Sequence, residues 1–294
     1  MRGMAKKEKQ PKPINPPQQQ HRRPGLESKM RPRPRASDPK HRGSGKLAGK
    51  VAIVTGGDSG IGRATCVAFA KEGADIACLY LNEHEDAKET QRLIRNAGRK
   101  CVLIAGDIGY ESFCRDAVEQ TVDELGRLDV LVNKAAEQHP QEKIEDIDRE
   151  QLERTFRTNI FAMFFMTKAA SKYLKKGSAI VNTASVTAYR GSKELLDYSS
   201  TKGAIVAFTR SLAKEVGADS IHVNCVAPGF TMSEGVKSHP EVIEALRDVS
   251  VAARTIKRDQ VPEDVVGAVV FLCSPAADFV TGQTMVIDGG QFFH

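Results

Sequence analysis

Seven short apolar runs, separated by turns and helical segments, constrain the fold more than any other feature of the chain. The runs are Val51–Val54, Ile76–Leu81, Cys101–Ala105, Leu128–Val132, Ala179–Asn182, Ile221–Val226 and Thr284–Ile287. Segments of helical character lie at Arg63–Glu72, from about Glu85 to near Gly98, and at Glu111–Leu125. Continuous apolar runs are typical of strands that are buried on both faces of a parallel sheet. The sequence therefore predicts a single α/β domain with a doubly wound Rossmann sheet of seven parallel strands.

The first 46 residues differ sharply in composition from the rest of the chain. They contain 8 of the 13 prolines, 14 Lys and Arg, and 3 Asp and Glu. Their net charge is therefore +11, and since the whole chain has a net charge of +6, residues 47–294 have a net charge of −5. A segment this polar cannot bury enough apolar surface to offset its loss of entropy. We interpret residues 1–46 as a disordered or loosely docked basic, Pro-rich arm, and 47–294 as the domain. Such an arm can contact its own subunit, nucleic acid or acidic lipid, but it lacks the aromatic residues on which bases stack, so we expect no nucleic-acid partner.

The cysteines and the hydropathy restrict the cellular setting. The six cysteines lie mostly among apolar neighbours, without a CxxC motif or a Cys/His spacing that would suit a metal. No apolar run is long enough to span a membrane, and the arm has no apolar core of a secretory signal. We expect reduced thiols, no metal, no membrane partner and a cytoplasmic location.

A glycine-rich turn follows the first apolar run and leads into a helix. Its sequence is Gly56-Gly57-Asp58-Ser59-Gly60-Ile61-Gly62. Glycines let a pyrophosphate approach the backbone, and the helix N-terminus supplies amide donors and partial positive charge. The spacing differs from GxGxxG, and a glycine-rich turn that binds nothing is the alternative.

Three polar residues in the second half of the chain suggest proton transfer. Tyr198 and Lys202 are four residues apart, so a helix places both on one face. That pair alone occurs on many solvated helices. Ser185, however, ends the stretch Ser178–Ser185, which contains the fifth apolar run. It lies at the carboxyl end of a parallel strand, which is where such sheets bind ligands. The tyrosine can then move a proton, and a nearby ammonium favours its ionised form.

With these features in one register, the chain resembles the short-chain dehydrogenase/reductase family over residues 47–294. Within the family it is similar to the glucose and ribitol dehydrogenase-like, general stress protein-like subgroup. The resemblance rests on the glycine turn, Asp107-Ile108, Asn133-Lys-Ala-Ala136, Asn159, Ser185, Tyr198, Lys202, Pro228-Gly229, Thr281-Gly-Gln, Asp288-Gly-Gly290 and, for the subgroup, Pro24-Gly-Leu-Glu-Ser in the arm.

The resemblance implies a catalytic set of Asn159, Ser185, Tyr198 and Lys202. Tyr198 would be the general acid/base, Lys202 would lower its pKa and hold the nicotinamide ribose, Ser185 would bind the substrate oxygen, and Asn159 would hold a water. The cofactor contacts implied are Gly56, Asp58, Ser59, Gly60, Ile61, Gly62, Tyr80, Asp107, Ile108, Asn133, Ala135, Tyr198, Lys202, Pro228, Gly229, Thr231 and Ser233.

Lys134 and the segment 230–237 depart from the family pattern. Lys134 stands where the family has a second asparagine, and it either perturbs the cofactor site or extends to water with little effect. Residues 230–237 differ from the lid of the subgroup, and lids shape substrate pockets. The resemblance therefore does not predict the substrate.

Charge near the adenosine end favours NAD over NADP as the cofactor. Asp58 and Glu83 are acidic, and a 2′-phosphate needs a basic partner there. Arg63 and Lys134 are the residues that could reverse this preference.

We expect an NAD(P)-dependent oxidoreductase, a homotetramer, that acts on an alcohol, polyol or sugar hydroxyl or on a carbonyl. The alternative is a catalytically weak, dinucleotide-binding stress protein that acts through its basic arm.

Overall fold

The structure is a computed structural model that describes residues 26–30, 36–37, 41–232 and 240–293. A seven-stranded sheet forms its centre. The strands are β1 Val51–Thr55, β2 Asp75–Tyr80, β3 Cys101–Ala105, β4 Val130–Asn133, β5 Ala179–Thr183, β6 His222–Pro228 and β7 Thr284–Ile287. All neighbouring strands are parallel, in the spatial order β3-β2-β1-β4-β5-β6-β7. The predicted fold class is confirmed, with small shifts in where individual strands begin and end.

Helices cover both faces of the sheet. They are α1 Gly60–Lys71, α2 His84–Asn96, α3 Glu111–Leu125, α4 Arg149–Phe156, α5 Ala162–Ser171, α6 Thr187–Arg190, α7 Leu196–Val216, α8 Pro240–Ala253 and α9 Pro262–Leu272. Helix α1 packs on α9, and α3 packs on α5, so two apolar clusters form on the two sides of the sheet. Burial on both faces explains why the strands lack alternation in sequence.

The strand order reverses direction between β1 and β4. From β1 the chain adds β2 and β3 on one side, and it then adds β4 to β7 on the other. In open parallel sheets, ligands bind at the carboxyl ends of the strands at such a switch point. We therefore expect a ligand site at the loops that follow β1, β4 and β5.

All six cysteines lie within the described residues. All six cysteines are buried thiols outside any disulfide. Within the described ranges, no helix combines the length and the apolar character that crossing a membrane requires.

Glu72, the residue after α1, holds the segment that leads into β1. It is almost completely buried, at 1% exposure. Its carboxylate accepts hydrogen bonds from the backbone N–H groups of Ser44 and Lys46, at 2.9 and 3.1 Å, and contacts the His41 ring at 3.0 Å. These contacts dock residues 41–46, which belong to the segment interpreted above as an arm, onto the C-terminal end of α1.

The hydrogen bonds around Glu72 change its acidity. Burial opposes ionisation, but the hydrogen bonds from Ser44, His41 and Lys46 outweigh it and lower the pKa of Glu72 to about 2. A carboxyl group whose pKa is lower in the folded state than in the unfolded chain stabilises the fold above the unfolded pKa. That contribution is lost as the pH falls from about 4.5 towards 2.

We expect Glu72→Gln to destabilise the protein by roughly 1–3 kcal/mol at pH 7, since it weakens several hydrogen bonds to a charged acceptor. The difference from the wild-type protein should shrink as the pH falls below about 4.5. Chemical denaturation across this pH range measures both effects. Glu119→Gln, on the exposed face of α3, is the matched control and should change little. An equal loss of stability at pH 3 and pH 7 would contradict the assignment to the ionised carboxylate.

Candidate active site

The glycine-rich turn after β1 folds tightly against the start of α1. Gly56 and Gly60 have positive φ angles of 64° and 51°, a region that side chains disfavour. A Cβ atom on Gly62 would lie 1.9 Å from the Gly56 carbonyl oxygen. The turn therefore requires glycine at 56, 60 and 62, and it leaves its backbone open to a close approach.

The first turn of α1 is suited to an anion. The helix begins at Gly60, the Ser59 side chain does not cap it, and its first turn carries no acidic residue. The partial positive charge of the helix N-terminus is then met by groups from outside the helix. The backbone carbonyl of Asp58 accepts a hydrogen bond from the Thr90 hydroxyl at 3.0 Å, which ties the turn to α2.

Ser185, Tyr198 and Lys202 meet beside β5. Tyr198 and Lys202 lie one helical turn apart on α7, and Ser185 follows the end of β5 by two residues. The Lys202 ammonium nitrogen lies 5.2 Å from the centre of the Tyr198 ring and donates a 2.8 Å hydrogen bond to the Thr183 carbonyl oxygen. The Ser185 side chain hydrogen-bonds the Tyr198 phenol. The three residues that the sequence analysis grouped are thus in one place.

Burial shifts both ionisable groups towards their neutral forms. It raises the pKa of Tyr198 to about 12, and the hydrogen bond from Ser185 opposes this rise. Burial also lowers the pKa of Lys202 to about 8, with a smaller contribution in the same direction from Lys134. In the chain alone, desolvation of the phenol dominates, so the pKa of Tyr198 lies above its usual value. The expected effect of Lys202 on Tyr198 in the presence of a cofactor stays a prediction.

Asn159 lies in the π-helical segment Arg157–Phe161 between α4 and α5. It is 3% exposed. Its carbonyl oxygen accepts from the Glu137 N–H at 2.9 Å, and its amide nitrogen donates to the Glu137 carbonyl and the Thr201 hydroxyl at 3.0 and 3.1 Å. The side chain therefore links the loop after β4 to α7, next to Lys202. Short π-helical segments often occur at functional sites.

The remaining predicted residues follow the ends of β1 to β6. Asn133, at the end of β4, donates to the Asn182 side chain at 3.0 Å and so joins β4 to β5. Tyr80 ends β2 and shares a 3.0 Å hydrogen bond with His84. Thr231 is buried, and its hydroxyl donates to the Gly229 carbonyl at 3.0 Å. Ile108 and Ala135 line a small cavity with Asn133 and Asn159.

Two further predicted residues lie where strands meet the following loops. Asp107 accepts a hydrogen bond from the Gly109 N–H at 2.7 Å. Pro228 ends β6. Ser233, which the resemblance also implied, lies outside the described residues.

Lys134 turns back over the glycine turn. Its ammonium nitrogen donates to the Gly56 carbonyl oxygen at 3.3 Å, and its aliphatic chain lies 3.4 Å from the position of a Cβ on Gly56. The side chain is half-buried. Lys134 therefore bonds the glycine turn rather than extending to water, and its effect on the cofactor site stays a prediction.

Asp197 is a buried residue at the site that the sequence analysis missed. It is 3% exposed, immediately before Tyr198. Its carboxylate accepts from the Tyr198 N–H at 2.7 Å, the Thr155 hydroxyl at 2.8 Å and the Gln151 amide at 3.1 Å. These bonds fix the start of α7 against α4. The sequence carried no signal for this role beyond adjacency to Tyr198.

The chain is similar to proteins of known family and structure. A family model described as Enoyl-(Acyl carrier protein) reductase matches residues 56–291. General stress protein 39 of Bacillus subtilis is 51% identical over 280 residues, covering 94% of this chain and 96% of that protein. Glucose and ribitol dehydrogenase of Daucus carota is 45% identical, with 94% and 96% coverage. A crystal structure of a short-chain dehydrogenase from Burkholderia cenocepacia in complex with NADP matches with a TM-score of 0.79 and 31% identity, covering 84% of this chain and 99% of that one.

The close packing within the glycine turn gives a test of the structure. We expect Gly62→Ala to lower the thermal stability strongly, by roughly 1–3 kcal/mol or more, because the added methyl group meets the Gly56 carbonyl. Gly267→Ala is the matched control. Gly267 is exposed in α9 with open space around its Cβ position, so alanine there should stabilise by about 0.5–1 kcal/mol. Melting of Gly62→Ala at the wild-type temperature would argue against the tight turn.

Proposed function

Because the chain belongs to the short-chain dehydrogenase/reductase family, we propose that it is an oxidoreductase that uses a nicotinamide dinucleotide to interconvert a hydroxyl group and a carbonyl group. Its substrates would be small alcohols, polyols or sugars and the corresponding carbonyl compounds. The observation that carries the proposal is the contact of Ser185 with Tyr198, with Lys202 buried beside them, at the strand edge that also holds the glycine turn.

The residues of the turn fit a dinucleotide. The backbone around Gly56 and Gly60 admits a close approach. The Gly60 N–H is bonded to the Glu27 carboxylate, and the N–H groups of α1 that follow it favour a pyrophosphate. The other side chains proposed to hold the cofactor are the predicted set described above, and Lys202 would hold the nicotinamide ribose. When bound, the cofactor would supply or accept the hydride.

Tyr198 is proposed as the proton donor and acceptor. With its pKa raised to about 12 by burial, the phenol keeps its proton at neutral pH. A neutral phenol is ready to protonate a carbonyl oxygen, and Ser185 would hold the same oxygen by a hydrogen bond. Lys202 would bring positive charge to the phenol when it loses its proton, and Asn159 would position a water on the path to solvent.

NAD is the cofactor that we favour over NADP. Glu83 and Asp86 follow β2, and both are buried. The guanidinium of Arg63 is bonded to Glu27, Thr90 and Asp86. These contacts hold it away from a phosphate bound at the glycine turn. Buried acidic groups near the ribose would repel a 2′-phosphate.

The setting that we propose is cytoplasmic, because six buried thiols outside any disulfide favour a reducing compartment. No metal is proposed to take part.

The proposed activity can be tested with a panel of sugars, polyols and aldehydes, each with NAD or NADP, followed by absorbance of the reduced cofactor. We expect turnover with at least one class of substrate. The rate of hydroxyl oxidation should increase with rising pH, because the Tyr198 phenol must lose its proton to act as the base. Tyr198→Phe should reduce turnover by about 10²–10⁴-fold, since it removes the general acid/base. Cofactor binding should stay nearly unchanged.

Two results would count against this proposal. If Tyr198→Phe kept more than about a tenth of wild-type kcat, Tyr198 would not be the acid/base. Tight dinucleotide binding without turnover on any substrate would instead favour a binding protein that acts through its arm.

A homotetramer is proposed from the apolar surface of α5 and its neighbours. Phe161 and Phe164 are 44% and 52% exposed, and Leu152 and Leu196 are also exposed. Phe164 packs against Phe208 of α7, at 4.5 Å between ring centres, so one apolar patch spans two helices. Patches of this kind commonly mark interfaces between subunits. Light scattering at micromolar concentration should give four subunits, and Phe164→Glu should shift the protein towards smaller species. A monomeric wild-type protein would oppose the proposal.

A further inference from the structure

A short segment of the N-terminal arm is built into the domain beside the glycine turn. Residues 27–29 form a single 3-10 turn. Glu27 and Met30 are almost completely buried, at 2% and 1% exposure. The Glu27 N–H donates to the Asp86 carboxylate in α2 at 2.7 Å. An acidic residue from a basic arm therefore lies between α1 and α2.

The Glu27 carboxylate contacts the first residues of α1 in two ways. One oxygen accepts a 3.0 Å hydrogen bond from the Gly60 N–H. The other forms an ion pair with the Arg63 guanidinium. Removing one partner of a buried ion pair leaves an uncompensated buried charge and strongly destabilises the folded protein. Glu27 and Arg63 therefore depend on each other.

Arg63 is held on its other sides by α2. Its Nε atom donates to the Thr90 hydroxyl at 2.9 Å, and one terminal nitrogen donates to the Asp86 carbonyl oxygen at 2.9 Å. Arg63 is 5% exposed. The basic residue that could have served a 2′-phosphate is thus neutralised and directed into the boundary between α1 and α2.

Glu27 joins the two elements that flank an adenosine ribose in this fold. Gly60 lies in the glycine turn and begins α1, and Asp86 is the third residue of α2, shortly after β2 ends at Tyr80. In dinucleotide-binding sheets, the group that distinguishes NAD from NADP lies near the end of the second strand and the turn. The negative charge of Glu27 therefore lies where it would affect the relative affinities for NAD and NADP.

We propose that Glu27 is a specificity-determining residue, with which the arm selects NAD over NADP by neutralising Arg63 and adding a buried carboxylate beside the adenosine ribose site. This inference rests on the proposed function, because it assumes that the turn binds a nicotinamide dinucleotide. It assigns a role to residues 26–30, which composition alone placed in a disordered or loosely docked arm.

The test compares NADH and NADPH affinities of the full-length protein by cofactor fluorescence. Glu27→Gln keeps the shape and one acceptor but removes the charge. The ratio of affinities should shift towards NADPH by about tenfold, as expected for one charge acting on a phosphate at an effective dielectric near 20. Glu27→Asp should restore most of the preference. Arg63→Gln leaves the Glu27 charge uncompensated, so it should shift the ratio the opposite way, towards NADH.

Glu89→Gln is the matched control. It breaks a glutamate–arginine pair on the same helix, but one that water reaches, with Arg92 57% exposed. Its ratio should stay within about twofold of wild type, since exposed pairs are well screened.

Three results would overturn the inference. They are an unchanged ratio in Glu27→Gln, an equal loss of both affinities, which would make Glu27 a structural cap, and shifts of the same sign in Glu27→Gln and Arg63→Gln. If Glu27→Gln does not fold, the sign of the shift in Arg63→Gln decides. A wild-type protein that bound neither cofactor would instead refute the proposed function itself.

Discussion

The single direction of all seven strands determines where everything else in the molecule lies. Parallel strands require a crossover segment between neighbours, and here helices in those crossovers cover both faces of the sheet. Polar side chains are therefore excluded from the strand centres and collect where strands end. The carboxyl ends of β1, β4 and β5 open at one edge, so the glycine turn, Lys134 and Ser185 become neighbours despite long separations in sequence.

Burial at this edge controls the chemistry that the polar groups can perform. Asn159 satisfies its amide through three hydrogen bonds, and Lys202 has the Thr183 carbonyl as a partner. Desolvation nevertheless moves Tyr198 and Lys202 towards their neutral forms. A proton therefore stays on the phenol until charge near it changes. Because burial sets the pKa values of Tyr198 and Lys202, a bound ligand that changes the local charge would change their protonation.

The sequence predicted the parts of the structure that depend on local pattern. Apolar runs located the strands to within a few residues, and the glycine spacing located the turn after β1. The π-helical segment at Asn159 was not predictable, because one residue of extra winding leaves no mark in hydropathy. The roles of Asp197 and Glu72 were also missed, since each carboxylate depends on partners brought together by the fold.

The arm shows why average charge is a poor guide to docking. Its composition is strongly basic, and the rest of the chain is acidic, which predicts a diffuse attraction that salt would weaken. The described contacts have a different character. The arm's Glu27 reaches a buried arginine, and Glu72 of the domain holds backbone amides of residues 44 and 46. Desolvated, hydrogen-bonded pairs outweigh many screened surface charges, so two carboxylates fix where the described parts of this segment lie.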